Sequence, residues 1–159
     1  MTDLIALDEN SRVWLYQADR FFDDQEIRMI QGEIYDFVTQ WVSHSDALRA
    51  YGNIFHRRFI GLFVDESLAG ASGCSIDSSV RFLNHLGTKF QANMIERDRF
   101  AYIKDDDVKV VGMNDLAGHF AAGEVANDTL FFDHLVSTKK DFLESWLKPL
   151  DQSWHKRFI

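Results

Sequence analysis

Arg99-Phe100-Ala101-Tyr102-Ile103-Lys104-Asp105-Asp106-Asp107-Val108-Lys109-Val110-Val111 sets two β-prone apolar runs on either side of a polar tetrapeptide. So short a connection cannot hold a crossover helix, so the runs read as an antiparallel hairpin turning at Lys104-Asp105-Asp106-Asp107. A second concentration of strand character lies upstream, in Ile54-Phe55 and Phe59-Ile60-Gly61-Leu62-Phe63-Val64. The longer run is continuous enough to be a central strand covered on both faces. Tyr51-Gly52-Asn53 before it permits either a hairpin turn or a bulge in one long strand, and both readings stay open. Adjacent strands without a crossover helix argue against a Rossmann fold. They point to an α+β fold with a mixed or mostly antiparallel sheet and helices packed against it, of which a ferredoxin-like core with additions is one form.

The flanking segments supply the helices. Ile27, Ile30, Ile34, Phe37, Val38 and Trp41 recur at three- and four-residue spacing, which places them on one helical face. Asp23 and Glu26 have capping-box spacing, and Phe22 and Ile27 occupy the positions of a hydrophobic staple, so this helix starts after Asp23. Its end falls between Trp41 and His44. A second helix carries Val80, Leu83, Leu86 and Phe90 inward and follows a loop of small residues through Gly70, Ala71 and Gly73. Ser75 reads as its N-cap, with Asp77 in the first turn. Arg12–Gln17 and Leu130-Phe131-Phe132 read as strands, and a short helix runs from after Asn114 to near Gly123. Thr138 with Asp141 starts a last helix carrying Phe142, Trp146 and Leu147.

A chain of 159 residues has room for one ordinary core, so a single domain over residues 1–159 is expected. Apolar residues make up 46% of the chain and it has one proline, which excludes global disorder. With 17 basic against 25 acidic residues the formal charge is -8, and phosphate backbones are repelled on average. The best basic patch, His56-Arg57-Arg58, is short, so no nucleic-acid partner is expected. No run is long and apolar enough to span a bilayer, the first residues lack a secretory pattern, and the single cysteine cannot form an internal disulfide. The expected location is the cytoplasm.

Phosphate loop, dinucleotide fingerprint, His-Glu-x-x-His and Gly-x-Ser-x-Gly patterns do not occur in the sequence. The chemical candidate is Cys74, in Ser72-Gly73-Cys74-Ser75 before a helix whose free amides favour a thiolate. Gly73, Ser75 and Asp77 make up the surrounding loop, either binding a ligand or shaping the backbone. His44, His56 and His155 are the candidate bases. Against this, a lone cysteine beside a core helix commonly packs as a small apolar residue, and Asp77 opposes a thiolate if close. The six histidines have no close metal-ligand spacing, so no metal and no cofactor are expected. Aromatic residues persist to the end in Ser153-Trp154-His155-Lys156-Arg157-Phe158-Ile159. Trp154 and Phe158 should therefore fill a groove on their own domain or on a second subunit, which leaves a homo-oligomer open.

Ser11-Arg12-Val13-Trp14-Leu15-Tyr16-Gln17-Ala18-Asp19-Arg20, Ser72-Gly73-Cys74-Ser75-Ile76-Asp77-Ser78-Ser79-Val80-Arg81-Phe82 and Ser153-Trp154-His155-Lys156-Arg157-Phe158 resemble stretches of a family of small Bacteroidetes proteins labelled "ABC transporter ATPase". The resemblance spans essentially the whole chain. The label implies ATP hydrolysis, whereas Gly73-Cys74-Ser75-Ile76-Asp77 puts an acid where a phosphate loop needs positive charge. The family implies no catalytic residue here. Two functions are therefore expected: an accessory, non-enzymatic domain binding a protein or small molecule, or a thiol-dependent enzyme with Cys74 as nucleophile.

Overall fold

The structure, a computed structural model, describes residues 1–42, 49–66 and 73–159; of Val42, Gly73, Cys74 and Ser75 only the backbone is described. The chain forms two compact units, one of Met1–Glu96 with Val136–Phe142, the other of Arg97–Leu135 with Leu143–Ile159. Strands and helices are segregated in the α+β manner, and the strands form two antiparallel sheets where one sheet was expected.

The first unit holds β1 (Arg12–Gln17), α1 (Asp24–Val42), β2 (Arg49–Phe55), β3 (Phe59–Asp65) and α2 (Gly73–Phe90). Its sheet has the order β1-β3-β2 with β3 antiparallel to both neighbours. This is the strand order of a ferredoxin-like core without its fourth strand. The fourth place, beside β1, is touched by a single antiparallel bridge between Arg12 and Thr138 and a bond from the Val13 amide to the Ser137 carbonyl at 3.0 Å.

β3 is buried at every residue. Side chains alternate across a sheet, so complete burial requires cover on both faces. On one face Trp14, Tyr16, Ala50, Ile54, Ile60, Leu62 and Val64 meet Ile30, Ile34 and Val38 of α1 and Leu83, Leu86 and Phe90 of α2. On the other, Phe142 packs on Phe63 and Phe55 at centroid distances of 5.0 and 5.2 Å.

The start of α1 follows from its side chains. The Glu26 amide donates to Asp23 Oδ1 at 2.8 Å and the Asp23 amide to Glu26 Oε1 at 3.1 Å, while Phe22 and Ile27 join the core. Arg20 donates to the same Glu26, and that hydrogen bond, with the Asp23 amide, lowers the glutamate pKa to about 2.

Gly52 lies within β2 and makes neither a turn nor a bulge. A Cβ there would meet Ile34 Cγ2 at 2.7 Å, Leu62 Cδ2 at 3.0 Å and Val38 Cγ2 at 3.1 Å, so its missing side chain is what lets α1 approach the sheet. The turn comes later, at His56 and Arg57, both with positive φ, 49° and 64°. Two consecutive left-handed residues make a type I′ hairpin turn, which normally selects Asn or Gly. Here tertiary bonds hold it: the Arg57 carbonyl accepts from the Phe22 amide at 2.9 Å, and Arg57 Nε donates to the Phe22 carbonyl at 3.1 Å. Arg57 Nη1 also reaches Asp24 Oδ1 at 2.7 Å.

The second unit contains β4 (Arg99–Lys104), β5 (Asp107–Gly112), α3 (Leu116–Ala121), β6 (Leu130–Phe132) and β7 (Leu147–Pro149). The sheet order is β5-β4-β6-β7. The hairpin turns at Asp105 and Asp106, with φ of 52° and 63°, as the sequence predicts; aspartate tolerates this region better than most residues. α4 (Lys139–Ser145) crosses the boundary between the units and begins where the Asp141 amide donates to Thr138 Oγ1 at 3.1 Å. It is shorter than the sequence suggests: Trp146 lies past its end and Leu147 opens β7. The Trp146 carbonyl accepts from the Asp133 amide at 2.6 Å, and this pairing with β6 replaces further helical turns that Pro149 would in any case break. Among the described residues no helix is long and apolar enough to cross a membrane.

Gly52→Ala should lower stability by about 1–3 kcal/mol, because the β-branched methyls it meets cannot swing aside. Gly32→Ala, on the exposed side of α1 with nothing within 4 Å, should gain roughly 0.5–1 kcal/mol from helix propensity. Urea unfolding of both variants checks the pair, and equal midpoints would show that α1 does not close on β2 in this way.

Candidate functional site

The predicted site residues occupy separate parts of the chain. Gly73, Cys74 and Ser75 are the first residues of α2, so Ser75 is already helical and the helix starts two residues before the expected cap. The small residues that suggested a loop also fit a first helical turn, so the sequence signal for the boundary was weak. Asp77 is exposed one turn into the helix. The side chains of Cys74 and Ser75, and all of His44, lie outside the described residues. His56 sits in the β2–β3 turn with its ring 6.0 Å from that of Phe59, and partial burial lowers its pKa.

His155 belongs to the second unit and is buried there, with 1% of its surface exposed. Its ring stacks on Trp154 at 3.9 Å and lies 4.8 Å from Phe100 and 5.1 Å from Phe131. Nδ1 pairs with the Ser153 hydroxyl at 2.5 Å. Burial lowers its pKa to about 4, against the pull of the Asp133 charge, so the imidazole is neutral at pH 7. Trp154 and Phe158 pack on Phe100, so the tail docks on its own unit.

Next to this ring lies the best-built polar cluster of the unit. Asp133, 6% exposed, accepts from Trp154 Nε1 at 2.8 Å and from the Leu135 amide at 2.9 Å through Oδ1, and from Lys148 Nζ through Oδ2. Burial alone would raise the Asp133 pKa; the hydrogen bonds from Lys148, Trp154 and the Leu135 amide outweigh it and hold the carboxyl below its ordinary range. Beside it Trp146 Nε1 donates to His134 Nδ1 at 3.1 Å. Asp133 and His134 are neighbours in the sequence; that Lys148 and Trp154 close on the acid depends on β6 pairing with β7. Both carboxylate oxygens are engaged by donors, so the group acts as an anchor for the tail.

The first unit has a comparable cluster. Arg58, 2% exposed, donates Nε and Nη2 to the Ala18 carbonyl at 3.1 and 2.8 Å and faces Glu96 at 3.6 Å, while Gln17 donates to Glu96 at 3.0 Å. Phe21 lies 4.6 Å from the guanidinium carbon. Of the short basic run His56-Arg57-Arg58, Arg58 is an internal cation and Arg57 pairs with Asp24. Among the described residues no group of three or more His, Cys, Asp or Glu side chains is placed to hold a metal ion. No family model, curated protein or solved structure matches the chain.

His155 gives a pH prediction with a definite sign. Its folded pKa, about 4, lies below the unfolded value near 6.5, so the unfolded chain binds the extra proton first as pH falls. The stabilisation is fully present above about pH 6.5 and is lost progressively towards pH 4, a total of roughly 3 kcal/mol. Denaturant unfolding at pH 7 and pH 4.5 should show wild type losing more stability than His155→Gln, the carboxylates common to both cancelling in the difference. Equal losses would mean that the imidazole titrates as freely folded as unfolded.

Proposed function

We propose that this chain is a non-enzymatic, accessory cytoplasmic domain that binds another protein. The observation that carries the reading is a set of exposed leucines in the second unit: Leu135 at 70% and Leu143 at 61% exposure, with Leu130 at 38% and Leu147 at 36%. Leu130 pairs with Pro149 and Phe132 with Leu147, so Leu130 and Leu147 are diagonal neighbours on one face of the β6–β7 pair. Each large aliphatic left in water forgoes about 1.5–3 kcal/mol of burial, which a partner surface would recover. The internal engagement of Asp133 and His155 supports binding over catalysis in this unit. A single cysteine without an internal disulfide partner fits a reducing compartment.

Photocrosslinking in cells from positions 135 and 143 should give a discrete protein adduct. Leu143→Asp should abolish the adduct formed from position 135, and Leu135→Asp the adduct formed from position 143, each leaving stability unchanged within about 0.5 kcal/mol. Equal labelling from Asp36, exposed on α1, would refute the reading.

The thiol-enzyme alternative is favoured by one feature: α2 begins at Gly73, which places Cys74 in a first helical turn, where unpaired amides favour thiolates. Alkylation of the native protein with a midpoint well below the ordinary ~8.5 would promote this alternative. Under the binding-domain reading, Cys74 should react only with an ordinary midpoint or after unfolding.

A further inference from the structure

We propose that the outer face of α1 is a self-association surface, on which a second copy of this chain lays its own α1 antiparallel about a two-fold axis at Gly32. The inference goes beyond the leucine surface and uses a helix of the first unit.

α1 turns Ile30, Ile34 and Val38 towards the sheet. Successive residues of a helix are rotated by about 100°, so Gly32 lies near the middle of the opposite side. Arg28 and Asp36 stand one turn away from it in either direction, and Met29 and Tyr35 flank it. All five are exposed, Met29 at 47% and Tyr35 at 51%. Two large apolar side chains in water sit on the face that a helix ordinarily gives to polar residues. Gly32 is as unexpected there. Glycine is the poorest helix former after proline, and nothing within 4 Å of a Cβ at this position requires it inside the chain.

The charges of this face select the occupant. Among the described residues neither the Arg28 guanidinium nor the Asp36 carboxylate has an ion-pair or hydrogen-bond partner, whereas Asp24 and Glu33 on the flanks are engaged by Arg57 and Lys89. The unpaired cation and the unpaired anion stand four residues before and four residues after Gly32. A two-fold axis at Gly32 therefore brings Arg28 of each copy level with Asp36 of the other, about 6 Å along the helix on either side of the axis. Two opposite-charge pairs result, and each guanidinium also lies against the Tyr35 ring of the other copy. Further out Gln25 meets Thr39, polar but uncharged. At the crossing the two glycines face each other, so the backbones can approach to the short end of the usual spacing of about 8–10 Å. Each copy carries a formal charge of -8 and approach is repulsive on average, so only a face whose own charges complement each other can be matched. A parallel pair, or an axis at Arg28 or at Asp36, would set like charges together; the axis at Gly32 does not.

Sedimentation velocity of the full chain from micromolar to submillimolar concentration should show a monomer–dimer equilibrium. Arg28→Glu and Asp36→Arg, made singly, each replace two attractive pairs by two repulsive ones and should raise the dimer dissociation constant at least about tenfold, although one makes the chain more acidic and the other less. Combined, they restore opposite charges in the same register and should return the constant to within about threefold of wild type. Gly32→Glu keeps a good helix former in place and should also separate the copies, by setting two carboxylates at the axis. Thermal unfolding reports whether each variant is folded, and if one single charge variant is not, the other is read against the combined one. An adduct photocrosslinked from position 36 should join two copies of this chain and so differ in mass from an adduct with another protein. A wild type that stays monomeric throughout, folded single variants that dimerise as wild type does, or a combined variant no tighter than the single ones overturns the proposal.

Discussion

The burial of β3 on both faces is the constraint from which the first unit follows. A strand with no solvent-facing side must be roofed twice, and a chain segment that provides one roof cannot provide the other. α1 and α2 supply the first, over Ile60, Leu62 and Val64. The second comes from residues 136–142, far along the chain, whose Phe142 reaches Phe55 and Phe63. The tight seating of α1 at Gly52 and the bridge from Thr138 to Arg12 are both local consequences of enclosing one strand.

Charge is handled in both units by the same physical rule. Burying an ion is expensive unless its partners come with it. Arg58 is surrounded by the Ala18 carbonyl, Glu96 and the Phe21 ring. Asp133 is surrounded by an ammonium, an indole and a backbone amide. Removing one member would strand the other, so these networks specify which segments meet: the β1–α1 connection with the β2–β3 turn in one unit, and the tail with β6 in the other.

What the sequence made legible were features written in local periodicity or capping. The α1 capping box, the inward face of α2, the Asp105-Asp106 turn and the antiparallel character of the sheets are all short-range or repetitive signals. What it hid depended on distant partners. Gly52 read as either a turn or a bulge because the helix that excludes its Cβ lies elsewhere in sequence. His56 and Arg57 carry no turn signature, since their left-handed backbone is held by Phe22 and Asp24 rather than by residue preference. Trp146 and Leu147 continued a helical spacing that pairing with β6 cut short. The candidate site divides in the same way: the docking of Trp154 and Phe158 was readable from aromatic residues at a chain end, while the closure of Lys148 and Trp154 on Asp133 was not.

The return of residues 136–142 to the first unit has a consequence for biosynthesis. A ribosome releases the chain from its N-terminus, so β1, β2 and β3 emerge well before the segment carrying Phe142. Until then the face of the sheet bearing Phe55 and Phe63 lacks that cover, while the intervening hairpin, whose contacts are local, is free to form at once. The nascent chain thus carries an apolar sheet face through the synthesis of residues 66 to 141, the interval in which a chaperone would find a binding surface that the finished protein no longer shows.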